Sequence, residues 1–186
     1  MKVTQEKREQ SINTMIDTAL ALFSEQGYDA TSIRTIAQRA GISLGLMYNY
    51  FKSKEELLVE ICRRGASDVR VSFEQITPEW EKMTAIERHI RQTVKILKEK
   101  KDFWKLIHGI RMQSAVVQRL SAEMKEQTAY VETQIRQNLI EAGIPFPELE
   151  AKLYFASLDG LAQHYLLHEN YPIDDVATLL IMKYKR

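Results

Sequence analysis

Apolar side chains recur along this chain at helical spacing in one segment after another, so the pattern predicts an all-α protein. The first helix runs from around Glu6 to Gln26, with Ile12, Met15, Ile16, Ala19, Leu20 and Phe23 as its buried stripe and Gly27 as its stop. Two short patterns follow. Ile33, Ile36, Ala37 and Ala40 give one helix an apolar face, and Thr31 or Ser32 can cap its start. Gly41 stands where a helix needs a left-handed residue to stop, and Ile42 packs back after the turn. Ser43 then caps a second helix through Leu44, Gly45, Leu46, Met47, Tyr48, Asn49 and Tyr50, anchored to the core by Met47 and Phe51.

Beyond this pair, Ser53 with Glu56 makes a capping box for a connecting helix carrying Leu57, Ile61, Gly65, Val69 and Phe73. The pattern breaks across Gln75 to Met83. Thr84 with Glu87 forms a second capping box, ahead of Ile86, Ile90, Val94 and Leu97 and a close of Lys98, Lys100 and Lys101. Asp102 is placed to cap a helix holding Phe103, Trp104, Leu106, Ile107 and Ile110. A longer helix then runs until Gly143, Pro145 and Pro147 break the chain. The last two segments, Leu149 to Leu167 and the stretch around Val176 to Met182, are apolar on more than one face. Such helices need cover nearly all round, and a second copy of the chain is an economical source of it. We therefore expect a two-fold four-helix interface with Leu158, Leu161, Tyr165, Leu179 and Met182 in it; the alternative is a monomer that buries both helices in its own core.

Charge changes the picture only locally. Lys and Arg number 26 against 25 acids, a formal net charge of +1, so bulk charge does not point to a polyanionic partner. Distribution does. Between Ala30 and Lys54 stand Arg34, Arg39, Lys52 and Lys54 with no Asp or Glu, on two short helices joined by a glycine turn. That combination predicts a helix-turn-helix held against nucleic acid, with Ser43, Leu44, Gly45, Leu46, Tyr48, Asn49 and Tyr50 on the outer side of the second helix. Gly45 costs helix stability relative to alanine, by roughly 1 kcal/mol, which makes sense where something must approach the backbone closely.

The run Gly27-Tyr28, Thr31-Ser32-Ile33, Ile36-Ala37, Ala40-Gly41-Ile42-Ser43, Gly45, Tyr48, Tyr50-Phe51, Ser53-Lys54 and Leu57-Leu58 resembles the DNA-binding domain of TetR-family transcriptional regulators. The resemblance implies a three-helix reader at residues 8–68 and, at residues 69–186, an all-helical bundle for effector binding and dimerisation. It places Ser43 to Tyr50 in a major groove, with Ser32, Tyr48, Tyr50 and Lys54 on phosphates; Arg34, off the apolar face of the first short helix, is a further candidate for DNA contact. Leu46 departs from the small or hydroxylated residue frequent at its position; it can meet a thymine methyl or simply pack. The implied function is a homodimeric repressor on a palindromic operator in double-stranded DNA, released by a small-molecule effector. A dimeric helical small-molecule-binding protein without DNA binding is the alternative.

For the effector, unidentified and expected to be apolar, Trp104, Ile107, His108, Met124, Tyr130 and Phe155 can line a cavity, although each also suits an ordinary core. His164 and His168 have a chelating spacing but no third ligand nearby, so no metal is assigned, and no cofactor either. Motifs for nucleophilic, zinc-protease or phosphate-loop catalysis are missing, which argues against an enzyme. The single cysteine, Cys62, excludes an intramolecular disulfide, and no segment reads as a membrane span or signal peptide, so we expect a cytoplasmic protein.

Overall fold

The computed structural model describes residues 2–74, 78–110 and 114–185; the side chains of residues 2–4, 72, 73, 114–125, 127 and 128 lie outside that description. Its elements are α1 (Lys2–Gln26), α2 (Ile33–Arg39), α3 (Leu44–Tyr50), α4 (Lys54–Glu74), α5 (Ala85–Glu99), α6 (Lys101–Ile110), α7 (Ser114–Glu141), α8 (Pro147–Leu167) and α9 (Ile173–Tyr184). A short 3-10 turn at Pro78–Trp80 precedes α5. The fold is all-α, as the hydrophobic spacing predicts, and it divides into two compact units: Met1–Gly65 with Asp102–Gln118, and Ala66–Lys101 with Arg119–Arg186.

In the first unit, Met15, Ile16, Ala19, Leu22 and Phe23 of α1 are buried together with Ile36 and Ala37 of α2, Met47 of α3 and Leu57, Leu58 and Ile61 of α4. Gly27, at φ +87°, ends α1, because a side chain at that angle would be strained. Helix α6 seats Phe103 directly against Gly65 of α4: a Cβ built on Gly65 would lie 2.1 Å from Phe103 Cε2. Asp102 falls inside the first turn of α6 and accepts a hydrogen bond from Ser24 Oγ at 3.2 Å, so its work is tertiary as well as local.

The second unit packs α5, α8 and α9 together. Thr84 caps α5 by accepting from the Glu87 amide at 3.2 Å. The Glu87 carboxylate does not return to the cap as a capping box predicts; it pairs with Arg91 at 2.9 Å and Lys185 at 3.4 Å. The lysines closing α5 are engaged within the unit: Lys98 with Asp174, Lys100 with Asp68, and Lys101 over the ring of Tyr165. In the core, His89 Nδ1 meets the Tyr154 hydroxyl at 3.2 Å, and Tyr154 lies edge-on to Tyr184. Burial lowers the His89 pKa to about 4, so the ring is neutral at physiological pH. No helix among the described residues is long and apolar enough to cross a membrane.

Candidate nucleic-acid interface

The geometry of the α2–α3 pair follows from a few local residues. Of the two caps that the sequence offers α2, Ser32 serves: its Oγ accepts from the Thr35 amide at 3.1 Å. Thr31 is buried and donates its hydroxyl to Gly27 O at 2.8 Å, closing the α1–α2 loop instead. At the far end of α2, Gly41 takes φ +68°. Its amide bonds Gln38 O at 3.2 Å and the Ile42 amide bonds Ala37 O at 3.1 Å, the paired closure of a Schellman motif. Ser43 Oγ then accepts from the Leu46 amide at 3.1 Å, and α3 begins. Both ends of the four-residue link from Ala40 to Ser43 are fixed by hydrogen bonds.

Met47 is the fully buried residue of α3, which turns the opposite side outward. Ser43, Gly45, Tyr48 and Asn49 are exposed, Tyr48 at 42%, while Leu44, Leu46 and Tyr50 are partly so. A Cβ at Gly45 would meet nothing within 4 Å, so the backbone there is open to approach. The Ser43 hydroxyl uses an acceptor lone pair on the cap, leaving its hydrogen able to donate outward.

The basic residues are placed less uniformly than their spacing suggests. Arg34 is exposed and makes no ion pair among the described residues. Arg39, in contrast, forms a two-pronged pair with Glu25 of α1, at 2.9 and 3.1 Å. Lys52 Nζ donates to Tyr48 O at 2.8 Å, a cation at the carboxyl end of α3. Lys54 turns inward: its ammonium donates to Tyr28 O, Thr31 O and Asp29 O at 2.9, 3.2 and 3.3 Å, and lies 4.3 Å from the centre of the Tyr28 ring. All three hydrogens of the ammonium are engaged in holding the α1–α2 loop. Ser53 caps α4 through the Glu56 amide, and Glu56 Oε2 accepts from the Lys52 amide at 2.6 Å, one residue before the usual capping-box partner.

A residue outside the acid-free segment joins this surface. The guanidinium carbon of Arg8, on α1, lies 5.6 Å from the centre of the Tyr50 ring at the end of α3. The sequence offers no local signal for that neighbour, because Arg8 stands between Lys7 and Glu9 in a stretch of mixed charge.

The remaining expected positions fall into separate places. On α6, Trp104, Ile107 and His108 are half-buried, and the Trp104 indole nitrogen has no hydrogen-bond partner among the described residues. Tyr130 on α7 and Phe155 on α8 are half-buried, and the Met124 side chain lies outside the described residues. Along the second unit's last helices, Leu158 and Leu161 face that unit's own core at 6% and 4% exposure, whereas Leu179 and Met182 are each 62% exposed. Tyr165 is half-buried beneath Lys101. Leu149, Leu153 and Leu167 are also exposed, completing an apolar stripe on α8 that the pattern alone did not single out. His164 and His168 stack at 5.5 Å with Tyr171 beside them, and no group of three metal-ligating residues occurs among the described residues.

Residues 15–61 fit the family model described as bacterial regulatory proteins, tetR family. Among curated proteins, the chain is 36% identical over 66 residues to the HTH-type transcriptional regulator AcrR of Shigella flexneri, which is 36% of this chain and 31% of that protein. It is 40% identical over 62 residues to the HTH-type transcriptional repressor KstR2 of Rhodococcus jostii, 33% of this chain and 30% of that one. The chain thus spans under a third of the length of these curated relatives. Among solved structures, a transcriptional regulator from Rhodococcus superposes with a TM-score of 0.79 at 19% identity, over 93% of each chain. The fatty acid degradation regulator FadR of Bacillus halodurans does so with a TM-score of 0.68 at 21% identity, over 91% of this chain and 94% of that one.

Proposed function

We propose that this chain, whose amino-terminal segment belongs to the tetR family of bacterial regulatory proteins, acts as a homodimeric transcriptional regulator that binds a palindromic operator and is released from it by a small molecule. One observation carries the reading: α3 is locked to α2 by a closed turn and presents Ser43, Gly45, Tyr48 and Asn49 on a face without a carboxylate. Asn49 has the paired donor and acceptor that read an adenine edge, and the Tyr48 and Ser43 hydroxyls suit phosphate oxygens. Leu44, Leu46 and Tyr50 flank them, with Ser32 and Arg34 at the start of α2.

Pairing is supported by the exposed stripe Leu149, Leu153, Leu167, Leu179 and Met182, whose cover we assign to a second copy. Two reading helices would then enter successive major grooves, one turn of DNA apart or a multiple of it. Repression, the activity that the name of KstR2 states for that protein, is the mode we assign here. For the effector, the half-buried Trp104, Ile107 and His108 of α6 offer one surface within the first unit, on which the Trp104 N–H has no acceptor among the described residues. Such a ligand acts only through unequal affinity for the DNA-bound and released forms.

Selection of duplexes from a random pool, followed by gel shift of the winners, tests the reading. A palindrome should emerge whose binding weakens steeply with salt; Tyr48→Ala should lower affinity on every duplex, and Asn49→Ala should change base preference at one position per half-site. Failure to bind any duplex at low salt overturns the assignment.

A further inference from the structure

The acid-free segment supplies less free positive charge to DNA than its four cations suggest. Arg39 is neutralised by Glu25, Lys54 is directed into three loop carbonyls, and the Glu56 carboxylate sits at the start of α4. Arg34 makes no ion pair among the described residues, and Lys52 keeps its charge beside the end of α3. Close association with a duplex needs several cations, each placed on a phosphate. A further one has to come from elsewhere in the first unit.

Arg8 meets the requirement. Among the described residues it makes no ion pair and no hydrogen bond, so none of its five N–H donors is used within them, yet its head group is held over the ring of Tyr50. Tyr50 is the last residue of α3, so the contact fixes a guanidinium at the rim of the reading helix. Holding the head group there before DNA arrives reduces the side-chain entropy lost on binding, and a guanidinium matches two phosphate oxygens at once. A base contact is less suitable, since α1 lies beside the reading helix and is not itself the inserted element. We propose that Arg8, stacked on Tyr50, clamps a DNA phosphate at the edge of the groove entered by α3. The inference rests on the DNA-binding reading above and adds to it a residue outside the helix-turn-helix.

The test measures binding of the full-length chain to a selected operator and to a scrambled duplex by fluorescence anisotropy, across about 50 to 200 mM salt. Arg8→Ala should weaken binding by on the order of tenfold at low salt and by the same factor on both duplexes. The slope of log affinity against log salt should become shallower by about 0.9 for each chain bound. Arg8→Lys should keep the wild-type slope while losing part of the affinity, because charge remains but the stacked, two-pronged geometry does not. Urea midpoints of both variants should match the wild type. An unchanged slope in Arg8→Ala overturns the proposal, whether affinity falls or not, and so does a loss confined to the operator, which would indicate base reading. In either case the wild type still binds DNA, so the regulator reading stands. A wild type that binds neither duplex overturns both.

Discussion

Gly65→Ala places a methyl group where α4 and α6 leave no space for one. The new Cβ would lie 2.1, 2.2 and 2.8 Å from Cε2, Cζ and Cδ2 of Phe103. Carbon atoms settle near 3.5 Å, so the ring must withdraw by about 1.5 Å or the helices must part. Phe103 is buried and already edge-on to Trp104 at 5.3 Å, which restricts its escape. Two opposite terms decide the outcome. Alanine in place of glycine inside a helix stabilises by about 0.5–1 kcal/mol, and forcing an extra carbon into a packed site costs about 1–3 kcal/mol. The net expectation is a loss of about 1–2 kcal/mol, read as a lowered urea midpoint with an unchanged slope, with all variants held at one protein concentration. Adding Phe103→Leu should return about 1 kcal/mol of that loss in a double-mutant cycle. A Gly65→Ala protein as stable as the parent, or a cycle with no coupling, would refute the packing argument.

Three further outcomes follow from the geometry. His89, whose pKa falls from 6.5 unfolded to about 4 folded, binds its proton more readily in the unfolded chain; its contribution to stability is present above pH 6.5 and lost as pH falls toward 4, about 2 kcal/mol being gone by pH 5. Urea titrations of wild type and His89→Leu across that range should differ in pH slope by this amount, and equal slopes would contradict it. Lys54→Met removes the donor shared by three loop carbonyls and should cost about 1–3 kcal/mol of unfolding free energy, beyond any effect on DNA affinity. No change in the urea midpoint would count against the inward ammonium. Leu153→Glu with Leu179→Glu should leave helicity intact while sedimentation shows a single protomer; a persistent dimer would move the interface elsewhere.

What the sequence makes legible here is whatever is settled within one helical turn. Ser43 and Thr84 as caps, Gly27 and Gly41 as stops, and Met47 as the anchor of α3 can be read from neighbouring residues alone. The inward turn of Lys54 could not be read, because its acceptors lie on a loop distant in sequence, and the pairing of Arg39 with Glu25 and the stacking of Arg8 on Tyr50 share that dependence. Helix α8 shows another kind of loss. With apolar residues on most sides, its periodicity is saturated, so nothing in the spacing separates inward Leu158 and Leu161 from outward Leu149 and Leu153.

The link between α2 and α3 has no slack. With Gly41 and Ile42 bonded back to α2 and Ser43 bonded forward to Leu46, one inserted residue would break a closure or start the second helix about 100° out of phase. Met47 would rotate out of its socket as Asn49 lost its outward bearing. If α3 reads DNA as proposed, change of target is restricted to exchanging letters on a frame of fixed length, and such a reader can be retuned but not respaced.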